Sequence, residues 1–164
     1  ELFDLVSLAE DVTDELDAHA RRKDLELEVL TTPDIELLES DPKIVRLILT
    51  NLVGNAIKFA ESGRVSVMLD QAHGNHTLSV HDEGPGIEPE MQIRIFDAFE
   101  KSESSDEKQI PGAGLGLALV RDMTLGLGGE IEVDSTPGEG SVFTVTLPSR
   151  IEDNTTLKGR FETD

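Results

Sequence analysis

The twenty residues from Asp41 to Ala60, DPKIVRLILTNLVGNAIKFA, constrain the fold of this chain more than any other stretch. A carboxylate followed by proline starts a helix. Asp41 as N-cap accepts from first-turn N–H groups that have no helical partner, and Pro42 at the first helical position gives up no hydrogen bond the helix needs. Ile44, Ile48 and Leu52 recur at i+4, with Val45, Leu49, Val53 and Ala56 beside them, so the apolar stripe is wide and the helix belongs in the core. Two amides interrupt that pattern. Asn51 and Asn55 are four apart and Lys58 is three further on, which stacks two amides and an ammonium on one face. Such a face suits a cation with its anion. Amides bonded to nearby backbone beside a solvated lysine would give the same pattern, and the helix alone leaves both readings open.

A core helix needs a core, and 164 residues supply one: a domain of this size buries roughly 70% of its unfolded surface. The 37% hydrophobic content is that of an ordinary globular chain. Cysteine is absent, which removes disulfides, thiolate metal sites and a thiol nucleophile. No apolar run reaches membrane-spanning length, and the stretch after Glu1 lacks the basic flank and apolar run of a signal peptide, so the expectation is a soluble piece. The net charge of −20 repels phosphate over most of the surface, which argues against nucleic acid as a partner. An anionic ligand must therefore be held by local donors and a metal ion.

Leu2, Phe3 and Leu5 suggest a short strand, and Ser7 is placed to cap a helix running to about Lys23, with His19 near its C-terminus. LELEVL at 25–30 alternates as a strand does, and IELL at 35–38 could pair with it across Thr32-Pro33-Asp34. After the central helix, Gly63 is placed for a left-handed C-cap. RVSVMLDQ and NHTLSVHD on either side of His73-Gly74-Asn75 read as a hairpin. His73 and His76 resemble half of a metal site, but no third ligand is near in sequence, and the bland reading is preferred for them and for His81.

The second hairpin strand runs into Asp82-Glu83-Gly84-Pro85-Gly86-Ile87. A carboxylate followed by two glycines about a proline makes a rigid turn whose backbone can approach a flat ligand. Residues 88–99 suggest a short helix bearing Met91, Ile95, Phe96 and Phe99. KSESSDEKQIPGA then has no apolar period and reads as a lid or a surface loop. Gly112-Ala113-Gly114-Leu115-Gly116-Leu117 opens a helix, leaving N–H groups clear at the positive end of a dipole, a setting for phosphate. Its spacing fits neither a dinucleotide fingerprint nor a P-loop. EIEVDS and SVFTVTLP are strand-like, and residues 150–164 read as a linker or tail after a domain of residues 1–149.

Taken in order, N-L-x-x-N-A-x-K-F at 51–59, D-x-G-x-G-I at 82–87, I-F-D-A-F at 95–99, G-A-G-L-G-L at 112–117 and G-G-E-I-E-V-D-S-T-P-G-E-G-S-V-F at 128–143 resemble the motif boxes of sensor histidine kinases. The resemblance is to the catalytic and ATP-binding domain of that family, within the wider group that includes DNA gyrase, the mismatch-repair ATPases and the heat-shock ATPases. It implies an α+β fold, a two-layer α/β sandwich of the Bergerat type with a mixed sheet packed on helices. It also implies ATP and Mg²⁺ as cofactors. By family position Asn51 and Asn55 hold Mg²⁺, Lys58 lies near phosphate, Asp82 reads the adenine amine, and Gly114 to Leu117 cradle phosphate. Phe59, Gly84, Gly86, Ile87, Phe99, Lys101, Gly112 and Thr144 complete the implied nucleotide site.

Asn51 also bears on the reaction. ATP-hydrolysing relatives carry glutamate there, which activates water or a hydroxyl as a general base; an amide cannot take that proton. Asn51 therefore favours transfer to an imidazole, already a nucleophile when neutral. None of His19, His73, His76 or His81 has the setting of the family's acceptor histidine. The implied partners are thus a dimerisation and histidine phosphoacceptor domain of the same kinase, a homodimer when whole, and a response regulator receiver domain. The domain is expected to be cytoplasmic, its parent either anchored in the inner membrane or free of it. The family's lid arginines are missing, with only Lys101 and Lys108 in their place. That keeps open an alternative, a degenerate regulatory module that binds nucleotide or partners without kinase activity.

Overall fold

In a computed structural model, which describes residues 1–96 and 116–150, the helix anticipated from Asp41 is α2 (Pro42–Phe59). The Asp41 carboxylate accepts from the N–H groups of Lys43 (3.0 Å) and Ile44 (3.4 Å). Val45, Ile48, Leu49, Leu52, Val53 and Ile57 are buried. The end of the helix departs from expectation: Ala60, extended in φ and ψ, is the C-cap, and Gly63 instead opens the strand β4 (Gly63–Ala72). Gly63 uses its positive φ of 90° to pass under Glu83, whose carboxylate accepts from Arg64 N–H (2.9 Å) and would overlap a Cβ at position 63.

Two further local expectations are corrected. α1 (Leu5–Arg22) is capped by Asp4, not Ser7. Asp4 accepts from Val6 N–H (2.9 Å) and Ser7 N–H (3.3 Å), and Ser7 donates its hydroxyl to the same carboxylate (3.1 Å). A carboxylate three residues upstream simply offers the stronger acceptor. The strand β2 (Leu25–Thr31) does not pair with the segment after it. It runs parallel to β4, every one of its residues matched from Leu25↔Gly63 to Thr31↔Leu69. β3 (Leu38–Glu39) pairs antiparallel with β1 (Leu2–Phe3) in a small separate sheet. The longer strand offers β2 a full ladder, and Thr32 N–H extends it to the Leu69 carbonyl (3.2 Å) before Asp34 turns the chain away at φ 63°.

β4 and β5 (Asn75–Asp82) form the predicted hairpin about His73 and Gly74, both left-handed at φ 53° and 78°. With β6 (Glu130–Ser135) and β7 (Ser141–Pro148) they make a five-stranded sheet in the order β2-β4-β5-β7-β6, parallel only between β2 and β4. The alternation of strand residues puts Val65, Val67, Leu69, Leu78, Val80, Phe143, Val145 and Leu147 on one face. α1, α2 and α4 (Gly116–Gly126) belong to the layer that covers this face, and α3 (Pro89–Arg94) lies against β6. The mixed sheet packed on helices is the expected α+β sandwich.

His76 takes no part in a metal pair. It is buried; its Nε2 donates to the Glu36 carbonyl (2.8 Å), which obliges Nδ1 to accept from the Ser149 hydroxyl (2.7 Å). No group of three or more metal-ligating His, Cys, Asp or Glu residues occurs among the described residues. Among them, too, no helix is long and apolar enough to cross a membrane.

Candidate functional site

Asn51 and Asn55 lie one turn apart on α2, and both are buried. Burial of an amide is costly unless each polar atom finds a partner. The Asn51 amide nitrogen donates to the Leu47 carbonyl (2.7 Å), yet its Oδ1 is buried with no hydrogen-bond partner among the described residues. An amide oxygen is a hard donor of the kind Mg²⁺ takes, so the Asn51 oxygen, with the Asn55 amide one turn away, fits that ion. One turn further on, Lys58 stands with its Nζ 5.3 Å from the centroid of the Phe59 ring, and that ring is half exposed.

The second component arrives from β5. Asp82 ends that strand on the helix-facing side, level with Val65 on one neighbour and Ser141 on the other. Its carboxylate accepts from the backbone N–H of Gly84 (2.9 Å) and from that of Ser141. Even so its pKa is raised above the ordinary carboxylate value: burial outweighs the two N–H donors and the nearby His81, which act the other way. A carboxylate held in that condition gains from a further donor, such as an exocyclic amine.

Glycine brings the two components together. Gly84 is buried against the end of α2, where a Cβ would sit 2.9 Å from the Phe59 carbonyl oxygen and 3.3 Å from Ala60 Cα. The Asp82 turn thus abuts the last turn of the asparagine helix. The turn is in turn laced to the β6–β7 connection. Gly138 N–H donates to the Pro85 carbonyl (2.6 Å), and Ile87 N–H to Ser135 Oγ (2.8 Å). Ser135 spends its own proton on the Gly140 carbonyl (2.9 Å), so across the 2.8 Å gap to Ser141 Oγ it is Ser141 that donates. Gln92 of α3 donates to both the Ile87 and Ser135 carbonyls (each 2.8 Å). Behind them the Phe96 ring meets Phe143 edge to face, centroids 6.4 Å apart.

Gly116 and Leu117 open α4, which packs on α2; Gly116 has φ 77° and Leu117 is buried. Thr144 is not brought to the group. Ser141, Phe143 and Val145 face the helices, so the pleat turns Thr144 to the opposite face, where its hydroxyl lies 3.3 Å from that of Ser79. The residue level with Asp82 is Ser141, which the sequence reading passed over although it follows the Gly138 and Gly140 turn. Phe99, Lys101, Gly112, Gly114 and Leu115, with Lys108 and the anticipated lid, lie outside the described residues. So do residues 151–164 of the anticipated tail.

A polar cleft of about 450 Å³ on the helix-free face is lined by Glu28, Arg64, Ser66, His81 and Asp134, with Asp82 and Ser141 also at its wall. Asp82, Ser135 and Ser141 border it from the site described above, but none of Asn51, Asn55 and Lys58 does.

Comparison with known proteins bears on the family and the fold. Residues 40–151 match the family described as "Histidine kinase-, DNA gyrase B-, and HSP90-like ATPase". The chain is 41% identical over 151 residues to the sensor protein GacS of Pseudomonas syringae pv. syringae, covering 88% of this chain and 17% of that protein. It is 37% identical over 129 residues to the sensor histidine kinase RcsC of Escherichia coli K12, covering 77% of this chain and 14% of that protein. It therefore spans less than a fifth of the length of either. Among solved structures, full-length ShkA in complex with AMPPNP superposes with a TM-score of 0.82 at 31% identity, over 93% of this chain and 31% of that one. The nucleotide-free catalytic domain of the histidine kinase ThkA gives 0.79 at 27% identity, over 92% and 95%. From the asparagine helix to β7, the match runs through every part of the site described, and the chain belongs to the histidine kinase-, DNA gyrase B- and HSP90-like ATPase family, as a catalytic domain of the sensor histidine kinase kind.

Proposed function

We propose that this domain binds ATP with Mg²⁺ and transfers the γ-phosphoryl group to a histidine on a separate dimerisation domain of the same kinase. The observation that carries the reading is the Asn51 Oδ1, buried without a partner one turn from a second buried amide. Asn51 and Asn55 would hold the Mg²⁺ through their amide oxygens, and the bound ion would neutralise phosphate charge. Asp82 would accept from the adenine amine, and Gly84 and Gly86 would let the ring approach the backbone without Cβ atoms in the way. Lys58 would face phosphate, and Gly116 and Leu117 would offer it the positive end of α4.

The chemistry asks little acid or base catalysis of the domain. A neutral imidazole attacks the γ-phosphorus with its lone pair; the N–P bond forms as the bond to the β–γ bridging oxygen breaks, ADP leaves, and the ring N–H proton passes to solvent. Asn51 cannot act as a base, which suits this acceptor and disfavours water. Orientation and charge neutralisation supply the rate. The phosphohistidine would then serve a response regulator receiver domain, in a kinase that works as a homodimer, with this domain in the cytoplasm where ATP is at hand.

The test is calorimetric titration of the protein with ADP and AMP-PNP, with and without Mg²⁺, followed by transfer from γ-labelled ATP to a supplied histidine domain. Saturable, Mg²⁺-dependent binding with acid-labile label on the histidine domain is the expected result. Binding without transfer would leave a regulatory nucleotide-binding module, and no binding at millimolar nucleotide in folded protein would refute the site.

A further inference from the structure

The last four carbonyls of an α-helix have no N–H partner within it, and in α2 they belong to Ala56, Ile57, Lys58 and Phe59. The Ala56 carbonyl is taken by Ala60 N–H (2.9 Å), and Phe59 O is closed over by Gly84. The two between them are met by a side chain from another helix. Lys23, the C-cap of α1, donates its ammonium to the Ile57 carbonyl (2.7 Å) and the Lys58 carbonyl (2.9 Å), thirty-four and thirty-five residues away in sequence. The contact places a positive charge at the negative end of the α2 dipole and answers two carbonyls at once. Burial lowers the Lys23 pKa, with Glu61 opposing that shift, so the ammonium sits where water is partly excluded.

Without this contact the Ile57 and Lys58 carbonyls lose a charged donor at a helix end where Ile57 and Ala60 are buried, and the last turn must shift to find other partners. Lys58 lies on that turn and would shift with it. We propose that Lys23 is a positioning residue for nucleotide phosphate: its ammonium clamps the last turn of α2 and thereby holds Lys58 in place. The proposal rests on the reading of the site as a nucleotide site. Lys23 itself need not touch the ligand. Its effect falls chiefly on the phosphate end, since Lys58 sits on the clamped turn itself, whereas Asp82 is on β5 and meets that turn through its Gly84 donor.

The experiment compares Lys23→Met, which keeps the aliphatic stem and removes the donors, with Lys23→Arg, which restores two parallel donors. Affinities for AMP-PNP with Mg²⁺ and for adenosine are measured on each. Lys23→Met is expected to bind AMP-PNP about tenfold more weakly, as for loss of one net charged hydrogen bond, while adenosine affinity changes less than about twofold. Lys23→Arg is expected to recover most of the loss. Unchanged AMP-PNP affinity in Lys23→Met, or an equal loss for adenosine and AMP-PNP, overturns the proposal. Should Lys23→Met not fold, Lys23→Gln carries the same comparison. In the unmodified protein, NMR of the lysine ammonium must then show Lys23 protected from exchange, and a freely exchanging Lys23 overturns the proposal too. A parent that binds neither ligand refutes the nucleotide site and this role together, whereas a binding parent with an indifferent Lys23→Met refutes only the role.

Discussion

Replacing Asp82 by asparagine separates the two consequences of burying this carboxylate. The carboxylate accepts from Gly84 N–H at 2.9 Å and from Ser141 N–H, and it retains lone pairs for an adenine amine. Asparagine has one oxygen. If that oxygen keeps the backbone donors, an adenine amine meets an N–H instead of an acceptor, and the hydrogen bond to a charged group is lost, about 1.5–3 kcal/mol. That corresponds to roughly 10- to 160-fold weaker AMP-PNP binding. Stability should move the other way. Desolvation raises the native pKa above the ordinary 3.8, so between the two values the native state holds more protons than the unfolded chain. The stabilisation from that proton is complete below the unfolded value and is lost as pH rises through the raised native value. Asp82→Asn carries no such titration. The difference in melting temperature, variant minus parent, should therefore grow across that window and level off above it. Calorimetric titration at neutral pH and thermal melts from pH 3.5 upward, on the order of half-unit steps bracketing the shifted value, test both halves. Equal nucleotide affinity, or a melting difference that does not rise with pH, would refute the reasoning.

Asn51→Leu removes a buried acceptor that has no partner, and thermal melts without nucleotide should show a gain of about 1 kcal/mol, while Mg²⁺ ceases to strengthen AMP-PNP binding. Gly140→Ala places a Cβ over the Asp82 carbonyl at φ 88°, and urea denaturation should register a loss of about 2 kcal/mol or more; a neutral result would mean the β6–β7 turn does not lock the Asp82 loop. His76→Ala strips partners from Ser149 and the Glu36 carbonyl at the far end of β5 from Asp82. It should cost about 2–3 kcal/mol in denaturation while leaving nucleotide affinity in the folded protein unchanged.

The helix from Asp41 to Phe59, the hairpin about His73 and Gly74, and the strands β6 and β7 were legible in the chain, because cap chemistry and apolar period act over a few residues. The face carrying Asn51, Asn55 and Lys58 followed from the same periodicity, and Asp82 from the glycines after it. What lay beyond local rules was decided between segments distant in sequence. β2 takes β4 as its partner over the adjacent β3, since a seven-residue ladder outweighs a short hairpin. Thr144 and Ser141 are told apart only by which face of β7 meets the helices. The orphaned Asn51 oxygen exists only once burial has removed water from it. The ammonium of Lys23 finds the carbonyls of Ile57 and Lys58 only after α1 and α2 have packed, because a helix end cannot choose its donor until tertiary structure brings one within reach.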